Sequence, residues 1–261
     1  AATLIMLGAT ICELRADGML RRHGDGAAIW HGMPIAIKEA VMPFSRFHTM
    51  EGSVMDSLLG PEMRSTGEVM GLSPTFGMSY AQSQVAAHGS LPTSGTVFVS
   101  VANRDKRNVI FPIKRLADLG FTILATEGTA SMLSLHGVDA RPVRKHSEGR
   151  GPNGEPTIVE LITQGRIGLI LNTPSGETVG GSPRRDGYRI RTASVLHRVP
   201  SITTVQGLEA AVQGIEAVQL DQVDVRSLQE WAQDIRAAQE AGIASTGGSS
   251  RQNEGHGFDL Q

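Results

Sequence analysis

From Thr96 onward the chain repeats one pattern: a short apolar run, a loop, then a helical stretch that ends at glycine. In Thr96-Val97-Phe98-Val99-Ser100-Val101, apolar residues fill both phases of the strand alternation, as in a strand buried on both faces. Helical periodicity follows over Val109–Leu119, Thr129–His136 and Thr157–Gln164, closed by Gly120, Gly137 and Gly165. Between them, Phe121–Thr126, Arg141–Arg144, Ile167–Leu171 and Ser201–Thr204 read as strands, and Arg185–His197 and Leu208–Ala217 as helices. Short strands alternating with helices specify an α/β class, here a five-stranded parallel sheet flanked by helices.

The first ninety residues are less regular. Leu4, Leu7, Ile11 and Leu14 recur at helical spacing and predict one helix stopping at Gly18. Ile35–Val41 reads as a strand, residues 44–73 have little periodicity, and Pro74 opens a helix reaching about Ala87. Ser90–Gly95 is rich in Ser, Pro, Thr and Gly, which places a domain boundary between 1–90 and 91–225. Residues 226–243 form an amphipathic helix with Leu228, Trp231, Ile235 and Ala238 on one face. The 244–261 tail is polar and Gly-rich and is expected to be disordered.

Composition narrows the function. The 261 residues carry 24 Lys plus Arg against 26 Asp plus Glu, so no basic field points to nucleic acid. No apolar run approaches the ~20 residues that cross a bilayer. Ala1–Met6 is apolar but lacks a basic n-region and a cleavage site, so no signal peptide is expected. The lone Cys12 can form neither an internal disulfide nor a Cys-based zinc site, which fits a reducing, cytoplasmic setting. His23 and His31 lack ligand spacing, so no metal site is expected. Met6, Met50, Met55, Met63 and Met70 read as gap fillers.

In an open parallel sheet, ligands bind beyond the carboxyl ends of the strands. The polar residues gather there: Ser100, Asn103 and Lys106 after the first strand, Thr126-Glu127-Gly128-Thr129 after the second, Lys145 and His146 after the third, and Asn172-Thr173-Pro174-Ser175-Gly176 after the fourth. At Thr126-x-Gly128-Thr129 a strand gives way to a helix expected to start at Thr129, so free amides face the crevice. With Lys106 and Lys145 nearby, that is an anion site suited to phosphate. Thr129 is also an ordinary N-cap, and Asn172 lies in a sequence that makes an ordinary turn; Asn172 would otherwise read a base or sugar edge. His146 and Glu148 read as exposed loop residues more than as an acid/base pair, and Arg184, Arg185, Arg189 and Arg191 as a solvated helix face. Walker A, G-x-S-x-G and GxGxxG motifs are absent.

Lys38-Glu39-Ala40-Val41-Met42-Pro43-Phe44 and the run Leu58–Gly71 (Leu-Leu-Gly-Pro-Glu-Met-Arg-Ser-Thr-Gly-Glu-Val-Met-Gly) resemble the large subunit of carbamoyl-phosphate synthase. Ser100–Thr204 resembles the methylglyoxal-synthase-like domain that ends those subunits. The resemblance implies an allosteric nucleotide domain preceded by the C-terminal remnant of an ATP-grasp domain. It implies nucleotide contacts, with UMP or IMP, at Ser100, Lys106, Thr126, Thr129, Lys145, Asn172 and Thr173. Where the family often has a second Thr after Thr173, this chain has Pro174. An amine effector such as ornithine would fall on Glu39, Leu59 and Thr203. The resemblance further implies an ATP- and magnesium- or manganese-dependent ligase in the intact chain and a glutaminase small subunit as hetero-oligomeric partner. No catalytic residue or cofactor is then expected in this portion, and the chain reads as truncated before Ala1.

Two other functions compete. A methylglyoxal-synthase-type lyase needs a carboxylate base beside the phosphate. Where those enzymes carry Gly-Gly-Asp, this chain has Asn153-Gly154-Glu155-Pro156, so Glu155 is the candidate. A free-standing nucleotide-binding module is the third reading. Neither rival accounts for the Glu62–Gly71 run.

Overall fold

The computed structural model describes residues 1–20, 33–46, 57–58, 63–174, 182–220 and 225–247. These fall into two compact units, residues 1–33 with 227–261, and residues 34–226. The expected division at 90/91 lies inside the second unit.

In the first unit, the single helix expected around Leu4–Leu14 is two short ones, α1 (Ala2–Met6) and α2 (Ile11–Ala16). Gly8, at φ +101°, breaks the path, and Thr10 restarts it by capping Glu13 in a reciprocal capping box. The C-terminal helix, α9 (Leu228–Gly247), continues through residues 244–247, which had been expected to be disordered; 248–261 lie outside the described residues.

The second unit begins with β1 (Ile35–Val41), paired antiparallel with β2 (Gly67–Ser73) in the register Ile35 to Ser73 through Val41 to Gly67. No hydrophobic periodicity marks β2 in the sequence. Helix α3 (Phe76–Ala87), capped by Thr75, backs this ribbon, and the buried Ser79 hydroxyl donates to the Ile35 carbonyl at 2.7 Å. Gly71 allows α3 to lie directly on β2: a methyl group there would enter the Ser79 carbonyl. On its other side α3 meets α8 (Val205–Leu220) through Gly77, where a methyl group would strike the Gln213 carbonyl.

The remainder is a five-stranded, all-parallel sheet in the order β5-β4-β3-β6-β7, formed by β3 (Thr96–Ser100), β4 (Thr122–Ala125), β5 (Ala140–Pro142), β6 (Leu169–Asn172) and β7 (Ser201–Ile202). Strand alternation sorts the core into two layers. Val97, Val99, Ile123, Ala125, Leu169 and Leu171 pack with α4 (Ile110–Asp118), α5 (Glu127–Leu135) and α8. Phe98, Leu124 and Ile170 pack with α6 (Ile158–Thr163) and α7 (Ser182–Leu196). Burial on both faces is why these strands read as continuous apolar runs. Gly120 and Gly137 end α4 and α5 at φ +93° and +77°, a backbone that costs little only at glycine. The five-stranded parallel sheet flanked by helices is the architecture expected. Among the described residues no helix is long and apolar enough to cross a membrane.

Two consequences are measurable. Gly71→Ala should lower unfolding free energy by about 1–3 kcal/mol through overpacking, whereas Gly67→Ala, with open space around it, should change it far less; equal effects in urea denaturation would contradict the close approach of α3 to β2. The Glu160 carboxyl is held below its ordinary value of 4.5, first by the Thr157 amide and then by Arg150. A depressed carboxyl stabilises the fold above that ordinary value, and its contribution is lost as pH falls through the lowered one. The unfolding midpoint of Glu160→Gln should therefore fall less steeply than wild type on acidification below 4.5.

Candidate functional site

The strand order turns back between β3 and β6. β4 and β5 extend the sheet to one side of β3, and β6 and β7 to the other. That is a topological switch point, where adjacent loops diverge and leave a crevice. Ser100 pairs with Asn172 across it, and Val99 with Ala125, so Ser100, Thr126 and Asn172 stand at one level on the carboxyl edge.

The phosphate-type corner lies over β4. Helix α5 begins at Glu127 and Thr126 is its N-cap, so the expected start at Thr129 is corrected: Thr129 sits in the first turn. The chain bends into the helix one step after the strand because the Thr126 carbonyl accepts from both the Thr129 and Ala130 amides at 2.8 Å. The amides of Glu127 and Gly128 precede that first bond and have no intrahelical acceptor. The Thr126 and Thr129 hydroxyls, both buried, share a hydrogen bond of 3.2 Å. Lys106, half-buried, reaches over this terminus: a methyl group built on Gly128 would lie 3.4 Å from its Nζ. A cation, a helix N-terminus and two hydroxyls thus converge, a chemistry that favours an anion.

Lys145 caps the tight helical turn His146–Glu148, its amide donating to the Glu148 carboxylate at 2.8 Å. The turn is tied to α7, because buried Asp186 accepts from the Ser147 amide at 3.0 Å and from its hydroxyl at 2.5 Å. His146 and Glu148 do not pair with each other; His146 Nε2 lies 2.7 Å from Arg189 Nη1.

Of the α7 cations, Arg189 is exposed, as expected, whereas Arg191 departs from the expectation of a solvated face. Arg191 is only 2% exposed and donates to the Asn172 side-chain oxygen at 2.7 Å. Asn172 in turn donates to the Ser100 carbonyl at 3.3 Å. The Thr173 hydroxyl accepts from the Ala102 amide at 2.9 Å, which holds the loop after β3 against the loop after β6. The side chains of Arg184 and Arg185 lie outside the described residues, as do His23, His31, Met50 and Met55. Asp186 and Arg191 were missed as site-forming residues; their only sequence signal was charge within a helix whose partners are distant in the chain.

Of the amine-type residues, Glu39 and Thr203 are described. Leu59 lies outside the described residues. The Glu39 carboxylate takes a hydrogen bond from Gln84 at 3.1 Å and lies 3.6 Å from His88 Nε2. Burial, and then the Glu39 charge, push the Tyr80 hydroxyl up to about 12. Thr203 follows β7 and lines a cavity of about 590 Å³ with Arg104, Arg107, Thr173 and Glu209, a lining that does not include Glu39. Arg104 donates to the Pro174 carbonyl at 2.7 Å at that cavity. Among the described residues, no group of three or more His, Cys, Asp or Glu side chains could hold a metal ion.

Glu155 is turned inward on its own loop. Its carboxylate accepts from the Asn153 amide and side-chain amide, each at 3.0 Å. Its own amide first, and then these two donors, hold it below the usual carboxylate range, which makes it a poorer base.

Residues 108–203 match the MGS-like domain family. A carbamoyl phosphate synthase large chain of Streptomyces griseus is 57% identical over 240 residues, covering 92% of this chain and 21% of that one. The carbamoyl phosphate synthase large chain of Mycobacterium tuberculosis is 58% identical over 232 residues, 88% of this chain and 20% of its own length. A solved methylglyoxal synthase from Elizabethkingia anophelis aligns with a TM-score of 0.37 and 16% identity, over 47% of this chain and 79% of that one. The chain thus spans about a fifth of the length of the curated relatives it matches. It is a homologue of carbamoyl phosphate synthase large chains, corresponding to a portion that carries an MGS-like domain.

Proposed function

We propose that this chain is the regulatory C-terminal portion of a carbamoyl-phosphate synthase large subunit, and that its β3/β4/β6 crevice binds a nucleoside monophosphate effector, UMP first and IMP second. The supporting observation is the corner over β4, where Lys106 reaches the free N-terminus of α5 beside the Thr126 and Thr129 hydroxyls. The phosphate rests there, Lys145 closes the site from the turn after β5, and Ser100, Asn172 and Thr173 face the nucleoside. The boundary at 90/91 separates this domain from the end of the ATP-grasp domain. In the intact cytoplasmic enzyme, ATP and magnesium or manganese belong to the part preceding this chain. There a glutaminase small subunit supplies ammonia, and bicarbonate, ammonia and ATP yield carbamoyl phosphate for pyrimidine and arginine synthesis. An amine effector at Glu39, Leu59 and Thr203 is part of the same proposal. The 261-residue chain alone makes no carbamoyl phosphate. It also has no methylglyoxal synthase activity, because Glu155 is committed to its own turn.

Calorimetry with UMP and IMP on the 261-residue chain tests the site. A hydrogen bond to a charged group contributes about 1.5–3 kcal/mol. Thr129→Ala, Lys106→Ala and Lys145→Ala should each weaken binding by about tenfold or more. Lys114→Ala, exposed on α4, should change little. No binding of either nucleotide at millimolar concentration, or equal behaviour of all four variants, would refute the phosphate site.

A further inference from the structure

We propose that Asn153 is a site of covalent self-modification, deamidation through a cyclic imide, and that the Glu155 carboxylate is the positioning residue that holds this reaction back in the folded chain. The proposal does not depend on the nucleotide reading.

The chain contains one Asn-Gly step, Asn153-Gly154, and both residues are exposed. Glycine after asparagine lets the next amide nitrogen reach the side chain, because no Cβ blocks the approach and the backbone turns freely. The reaction balances with water alone. The Gly154 nitrogen gives its proton to solvent and forms a bond to Asn153 Cγ. The Cγ–Nδ2 bond breaks, and the nitrogen leaves with a proton as ammonia. Water then opens the five-membered imide at either carbonyl, leaving aspartate or its β-linked isomer. Nothing is oxidised or reduced.

Both reacting groups are occupied in this turn. The Gly154 amide, at φ +84°, donates to the Gly151 carbonyl at 2.9 Å, and the Gly151 amide donates to the Glu155 carbonyl at 3.0 Å. The nucleophile's proton is therefore held inside the turn. The Glu155 carboxylate closes the other side. Oε1 accepts from Asn153 Nδ2 and Oε2 from the Asn153 amide, each at 3.0 Å. Asn153 thus offers two donors, and a carboxylate is the side-chain group with two acceptor oxygens to meet them. The first of these bonds pins the side chain by the nitrogen that would have to leave. Imide formation needs the Gly154 nitrogen and Asn153 Cγ aligned at close range, so the clamp must open first. The carboxylate lies directly over Gly151, where a methyl group would collide with Glu155 Oε2 and Cδ. Glycine at 151 is what gives the clamp room. The change is also self-sustaining: aspartate at 153 would set a carboxylate against Glu155, and like charges repel.

The test incubates the 261-residue chain at neutral pH and follows Asn153 by mass spectrometry of the tryptic peptide 151–166, with aspartate and its isomer separated by chromatography. Glu155→Ala should deamidate about fivefold or more faster than wild type. Glu155→Gln keeps one acceptor and should fall between them. In concentrated guanidinium chloride all three should convert at one fast rate, which separates the folded clamp from the local sequence. Circular dichroism reports whether each variant folds. If Glu155→Ala does not, Gly151→Ala decides, because its methyl group displaces the carboxylate and should speed conversion in the same way. Equal rates for wild type and the folded variants, or wild type converting as fast in buffer as in denaturant, overturns the proposal. So does an Asn153 that survives even in the unfolded chain.

Discussion

Strand β3 must be buried on both faces, and the crevice follows from that. Phe98 faces one helical layer and Val97 and Val99 the other, so β3 can sit only in the middle of the sheet. A parallel strand in the middle needs neighbours delivered by crossovers on either side. β4 arrives on one side and β6 on the other, and their outgoing loops part above β3. The polar residues that follow each strand are thereby collected without being near one another in sequence.

A switch point supplies only an opening; the second layer of polar contacts gives it shape. Thr173 ties the loop after β6 to Ala102, and Asp186 ties the turn after β5 to α7. Arg191 and Asn172 fill the space beneath the edge with a charge-assisted bond in place of apolar packing. A buried guanidinium is tolerated only when its donors are satisfied. Such a pair costs desolvation and returns a fixed orientation of the Asn172 amide between Arg191 and Ser100.

The sheet was legible because burial on both faces writes itself as apolar runs, and helix ends were legible because Gly120 and Gly137 need a left-handed backbone. The ribbon was only half legible. β1 has Ile35, Ile37 and Val41, but β2 is Gly-Glu-Val-Met-Gly-Leu-Ser, a strand only because β1 pairs with it and α3 presses on Gly71. The strand-end residues Ser100, Thr126, Asn172 and Lys106 could be picked out because topology alone brings them to one edge. Arg191 and Arg189 could not, since a charged residue on a helix announces nothing about a partner 19 or 43 residues away. Thr129 reads as a helix start because threonine is a common cap, but Thr126, an equally good cap three residues earlier, holds that place.

A crystal structure of the 261-residue chain with UMP gives the most direct test. The phosphate should lie within hydrogen-bonding distance of the Glu127 and Gly128 amides with Lys106 Nζ against it. A phosphate seated instead in the cavity between Arg104, Arg107 and Thr203, with the N-terminus of α5 free of ligand, would contradict the proposed site.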